Sequence, residues 1–142
     1  MFPELFVSTI MVLLTVLIHG TGIFALGRIL QIEAREEAQE HIHPMSLRGI
    51  AVTLGLVWGL FILHGIEIWI YAFVFLLLEA LPTLPDAIYF STITYATTGY
   101  DDDGFAESWR MVAAIEGVNG VILLGWSTAF FVTVVARMGR RR

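Results

Sequence analysis

The sequence predicts an all-α membrane protein with three transmembrane helices and a re-entrant half-helix between the second and third. Three observations carry this. Of 142 residues, 57% are hydrophobic and only 15% charged; mean hydropathy is +0.78; and the apolar residues fall in three long neutral runs. A soluble domain carries about 25% charged residues, spread more evenly. The absence of cysteine excludes disulfides, thiolate metal sites and thiol nucleophiles. Net charge is −5, and all eight basic residues are arginines that form no stripe, which excludes nucleic acid as a partner.

The first span is assigned to residues 1–28, because 23 residues without formal charge separate Glu4 from Arg28 and about 20 are enough to cross the hydrocarbon core. A start of Met-Phe-Pro-Glu has no basic n-region, so this helix is read as retained rather than cleaved. Residues 29–47 form an acidic connector of strong helix formers with a breaker at Pro44. The unit 48–142 follows. Its outer helix, 48–80, holds an apolar run of 30 residues from Gly49 to Leu78, interrupted only by Glu67. Pro85 and Asp86 then start a half-helix at 85–96: proline needs no amide partner there, and the carboxylate meets the positive end of the dipole. About twelve residues cannot span a bilayer. Such a segment survives at membrane depth only when buried in protein or lining a water-filled path, and Thr97-Thr98-Gly99-Tyr100 after it suggests the second. The last helix, 108–137, contains a 26-residue apolar run from Met111 to Ala136 with Glu116 inside it.

Arginines set the orientation, since basic residues near span ends stay cytoplasmic. Arg28, Arg35 and Arg48 flank or lie on the connector, Arg137 and Arg140 to Arg142 end the chain, and Arg110 alone falls on the other side. The expectation is a multi-pass plasma-membrane protein with the N-terminus outside and the C-terminus in the cytoplasm.

The stretch YFSTITYATTGYDDDG, Tyr89 to Gly104, resembles the pore helix and selectivity filter of tetrameric potassium channels, whose filter reads Thr-Val-Gly-Tyr-Gly-Asp. Thr97, Gly99, Tyr100 and Asp102 match the family's threonine, first glycine, tyrosine and aspartate. Ser108 to Phe131 is similar to the inner pore-lining helix, with Gly120 at the hinge glycine. The resemblance implies a homotetrameric pore in the lipid bilayer that passes cations without catalysis or a resident cofactor. It implies a filter (97–102) in which Thr97, Thr98, Gly99 and Tyr100 offer oxygens to a permeant K+. Thr98 stands where the family has a branched apolar residue and Asp101 where it has its second glycine, so Na+ or Ca2+ permeation stays open. In a tetramer Asp101, Asp102 and Asp103 would crowd the outer mouth with negative charge and attract monovalent or divalent cations. Val121, Leu124 and Thr128 share one helix face and would line the cavity.

Glu67 and Glu116 are acids inside spans, where an isolated charge is expensive, so each should face protein or water. With His64, three residues before Glu67, they are read as support behind the filter, against the plainer reading of interhelical hydrogen bonding. His19 is read as a packed or hydrogen-bonded residue. His41 and His43 lie two apart, a poor helical spacing for zinc. Most span glycines are explained by close helix packing, and Trp58, Trp69, Trp109 and Trp126 include interfacial anchors. An intramembrane enzyme finds no support, since HExxH and Gly-x-Ser-x-Gly are both missing. The rivals are a weakly selective or divalent-permeable channel and a non-conducting membrane scaffold.

Overall fold

The computed structural model describes residues 1–37, 45–99 and 103–139. His41, His43, Tyr100, Asp101, Asp102 and Arg140 to Arg142 lie outside the described residues. Four helices follow in order: α1 (Phe2–Glu37), α2 (Leu47–Leu77), the short α3 (Leu84–Tyr95) and α4 (Arg110–Gly139), the last entered through a 3-10 turn at Glu107–Trp109. Three segments are long and apolar enough to cross a bilayer, Phe2–Ile29, Leu47–Leu77 and Glu107–Ala136. The all-helical membrane architecture with three spans and an intervening half-helix is therefore present. The first helix continues past Arg28 to Glu37 without a break, as the helix-forming run Ile-Glu-Ala-Arg-Glu-Glu allows.

Each end of α2 and α3 is closed by identifiable groups. Ser46 Oγ accepts from Gly49 N–H at 3.1 Å to cap α2. At its far end Ala80 N–H donates to Phe75 O at 2.9 Å and Glu79 N–H to Leu76 O at 3.1 Å, a Schellman closure. Thr83 caps α3 by accepting from Asp86 N–H at 3.3 Å, and its hydroxyl donates back to the Asp86 carboxylate.

Water does not drive helices together inside lipid, so packing and interhelical hydrogen bonds must. Helix α1 buries Ser8, Met11, Thr15, His19 and Ile23, a stripe at intervals of three and four, and leaves Phe6, Leu13, Leu17 and Phe24 exposed for lipid. Against α2 the contact is reciprocal: Leu63 fills the space beside Gly22, and Leu26 fills the space beside Gly59. Against α4 it is partly apolar, with Trp126 beside Gly20 and Phe130 beside Gly27, and partly polar, with Asn119 Nδ2 donating to Thr15 Oγ1 at 2.8 Å and to Tyr71 OH of α2 at 3.2 Å.

Helix α3 lies between α2 and α4. Phe90 from α3 stacks on Phe105 at 4.6 Å, and Phe75 from α2 meets both edge-on at 5.6 and 5.2 Å. Ala106 N–H adds a hydrogen bond to Ala80 O at 3.0 Å. These contacts fasten the chain returning to α4 against the end of α2, so that α3 and the turn after it are fixed at both ends.

Candidate functional site

The site is built around the last turn of α3. Twelve residues give a helix of about 18 Å, too short to cross a bilayer. After Tyr95, Thr98 N–H donates to Ile93 O at 2.9 Å and Thr97 N–H to Thr94 O at 3.1 Å, a second Schellman closure. Thr97 occupies its left-handed position at φ 56°. A β-branched residue rarely adopts that conformation, where glycine is usual, so Thr97 is held there against its own preference. Thr97, Thr98 and Gly99 are exposed on the single chain. Asp103 is also exposed, beside Gly104 at φ 80°.

Gly120 lets α4 touch this turn. A Cβ built on it would lie 2.2 Å from the Tyr95 carbonyl oxygen, a distance no side chain tolerates. Close backbone approach thus explains this glycine; nothing in the packing bears on a hinge. Along the same helix Val121 and Thr128 are exposed, whereas Leu124 is half-buried against the core, so the proposed cavity face is only partly open on the single chain.

Both span glutamates are fully buried and both touch α3, one turn apart. Glu67 receives the Tyr95 hydroxyl on one carboxyl oxygen, and its other oxygen lies 2.9 Å from His19 Nδ1. His64 Nδ1 is 3.0 Å from the Tyr95 hydroxyl, His64 Nε2 is 2.9 Å from Ser127 Oγ, and Ser127 Oγ is 3.2 Å from His19 Nε2. Five side chains from all four helices thereby form a closed ring. Its two histidines and carboxylate bring ligand atoms within 4.8 Å of one another. All four ring nitrogens are nevertheless engaged by neighbours in the chain, so the cluster reads as a hydrogen-bond ring and not as a metal centre.

Glu116 has far less. Its Oε1 hydrogen-bonds with Ser91 Oγ, which also reaches Ile68 O at 3.0 Å, and its Oε2 is buried with no partner among the described residues. Thr94 Oγ1, also on α3, is buried in the same condition.

Glu67 and Glu116 both lie against the half-helix, and His19 is hydrogen-bonded as read. Sequence reasoning missed Tyr95 and Ser91, which meet the two carboxyls, Ser127, which bridges the two histidines, and Phe105, which anchors the return segment. The usable signals were the i, i+4 pairing of Ser91 with Tyr95 and of Thr15 with His19 on otherwise apolar helices.

A family model described as ion channel matches residues 51–137, well over half of the chain, and covers nearly all of α2, all of α3 and nearly all of α4. No curated protein and no solved structure matches the chain. The protein belongs to this ion-channel family and sits in the membrane.

Proposed function

We infer that this ion channel is a homotetramer that conducts K+ passively through a backbone-carbonyl filter at Thr97 to Tyr100. The observation that carries the reading is a half-helix clamped between two spans of an ion-channel unit, with Thr-Thr-Gly-Tyr directly after it. A single such loop cannot enclose a path, so several copies are required, and fourfold symmetry follows from the resemblance to tetrameric potassium channels. Each chain would contribute the hydroxyl of Thr97 and the carbonyls of residues 97 to 100 in place of an ion's hydration shell. Gly120 supports the filter by letting α4 press on the Tyr95 carbonyl. The protein is placed in the plasma membrane, N-terminus outside, on the arginine distribution.

The test is the reversal potential of the purified protein in planar bilayers, with K+ on one side and Na+, then Ca2+, on the other. Reversal at the potassium equilibrium potential is expected; reversal near zero would refute selectivity. One observation favours a second reading, a weakly selective or divalent-permeable channel: Asp101 stands where the resembled filter has glycine, and four copies would place a ring of carboxylates at the mouth. In that case Asp101→Gly shifts the permeability ratio toward K+, and an unchanged ratio removes the reading. Electrical silence of the intact tetramer under all conditions would favour a scaffold.

A further inference from the structure

We propose that the ring of His19, Glu67, Tyr95, His64 and Ser127 is a proton-counted latch, through which the first helix holds the filter end of α3, and that it opens on acidification. The family match begins at residue 51 and leaves α1 outside it, yet α1 supplies one of the five members. The consequence for conduction rests on the channel reading above; the latch itself does not.

The argument is an inventory of protons. The ring has five hydrogen-bonded edges, and each needs one proton between its two heavy atoms; His64 Nδ1 also lies 3.3 Å from the Glu67 oxygen that receives Tyr95, a contact across one corner that adds no proton to the count. Tyr95 and Ser127 bring one each, each neutral imidazole brings one, and the Glu67 carboxyl brings one when protonated. Five groups thus fill five edges. Running from Glu67 to His19, Ser127, His64, Tyr95 and back to Glu67, every group donates once and accepts once. Moving the carboxyl proton onto His19 gives a carboxylate and an imidazolium with the same count. In both forms the ring closes with zero net charge, the cheapest state for a buried polar cluster in a membrane. A sixth proton on either imidazole gives the buried ring a net positive charge and leaves one N–H or O–H group with no acceptor in it, so the ring loosens there.

The titratable groups facing the ring from the packed helices are His19 on α1, His64, Glu67 and Tyr71 on α2, Tyr95 on α3 and Glu116 on α4. Tyr71 is occupied by Asn119, and Glu116 by Ser91, so the ring's own members set its balance. Tyr95 is the link to the pore. Its hydroxyl sits in the ring, its carbonyl lies against Gly120, and Thr97 follows two residues later. His19 and Ser127 touch no ion and act as positioning residues, holding Tyr95 through His64 and Glu67.

The test uses the full chain in liposomes, 15N-labelled at histidine, with His41 and His43 replaced by Gln so that only the ring histidines report. Solid-state NMR follows His19 and His64 from about pH 8 to about pH 4, a range bracketing ordinary imidazole titration, while K+ flux is recorded on the same vesicles. The expected result is one shared pH step for both histidines, with flux falling at least about five-fold across it, the lower end of typical coupling between sites. Ser127→Ala removes two edges, so the histidines should titrate separately and the flux step should vanish; Ser127→Thr, which keeps the hydroxyl, should restore both. Independent titration in the intact ring would overturn the latch, as would a flux step that survives Ser127→Ala unchanged. A shared histidine step with no flux at any pH would support the latch and overturn the channel reading.

Discussion

Glu67 and Glu116 are the same residue, equally buried, set against the same face of α3 one turn apart, yet their surroundings differ completely. Glu67 has a hydrogen-bond partner on each oxygen, and those partners complete a ring whose protons balance. Glu116 has one serine hydroxyl and a second oxygen with no partner among the described residues. Ser91 has a single proton, and its oxygen touches both Ile68 O and Glu116 Oε1. If Ser91 donates to Ile68, the Glu116 contact needs a proton from the carboxyl itself. The pair therefore teaches that burial alone does not define a carboxyl's role. Glu67 is built into an arrangement that tolerates either a neutral or an internally paired charged form, whereas Glu116 fits its site as a neutral hydrogen-bonding group.

The largest expected effect comes from destroying the better-partnered site. Glu67→Ala removes the carboxyl that receives the Tyr95 hydroxyl and leaves His19 Nδ1 without its partner, a loss of about 3–5 kcal/mol by analogy with broken buried pairs, read as a large fall in the thermal midpoint of the detergent-solubilised protein. Glu67→Gln sharpens the point. The amide offers an oxygen to Tyr95 and an N–H to His19, keeps one proton per edge, and should lose only about 1 kcal/mol, one ordinary hydrogen bond's worth.

Next comes the backbone contact between α4 and the end of α3. Gly120→Ala inserts a methyl 2.2 Å from a backbone oxygen, so α4 must move away from α3. The shift should cost about 1–3 kcal/mol, as overpacking does, and should lower conductance together with stability. Unchanged conductance would show that the close approach at Tyr95 has no bearing on the filter.

How much of this was legible in the sequence depends on distance along the chain. The spans and the half-helix were legible because charge-free runs and a Pro-Asp start are local signals. The two acids stood out because carboxyls are rare in apolar helices. Their partners were not legible, with one exception. His64 lies three residues from Glu67 on the same face and was read as its neighbour, whereas Ser91 is 25 residues from Glu116, Tyr95 is 28 from Glu67, and His19 is 48 from Glu67. Serine and tyrosine in an apolar helix carry no periodicity that points to a particular partner. The left-handed Thr97 was equally hidden, since local preference argues against it and only the closure after α3 imposes it.

Smaller effects test the poorer-partnered site. Ser91→Ala removes the one partner that Glu116 has among the described residues and leaves Ile68 O without its side-chain donor, an expected loss of about 1–3 kcal/mol for stranded polar groups.

Glu116→Gln should do least of all. If the carboxyl serves as a neutral donor to Ser91, an amide N–H takes over that bond, Ser91 keeps Ile68, and no charge is lost because none was used. Stability should change by less than about 1 kcal/mol, an ordinary hydrogen bond, and ion flux should match that of the unsubstituted protein at each pH from neutral to acid. The opposite result would be informative in a specific way. A strong loss of flux with stability intact would mean that Glu116 works as an ionised group whose second oxygen meets a partner outside the single chain. The contrast with Glu67 would then be one of assembly, with one carboxyl completed within the subunit and the other only in the oligomer.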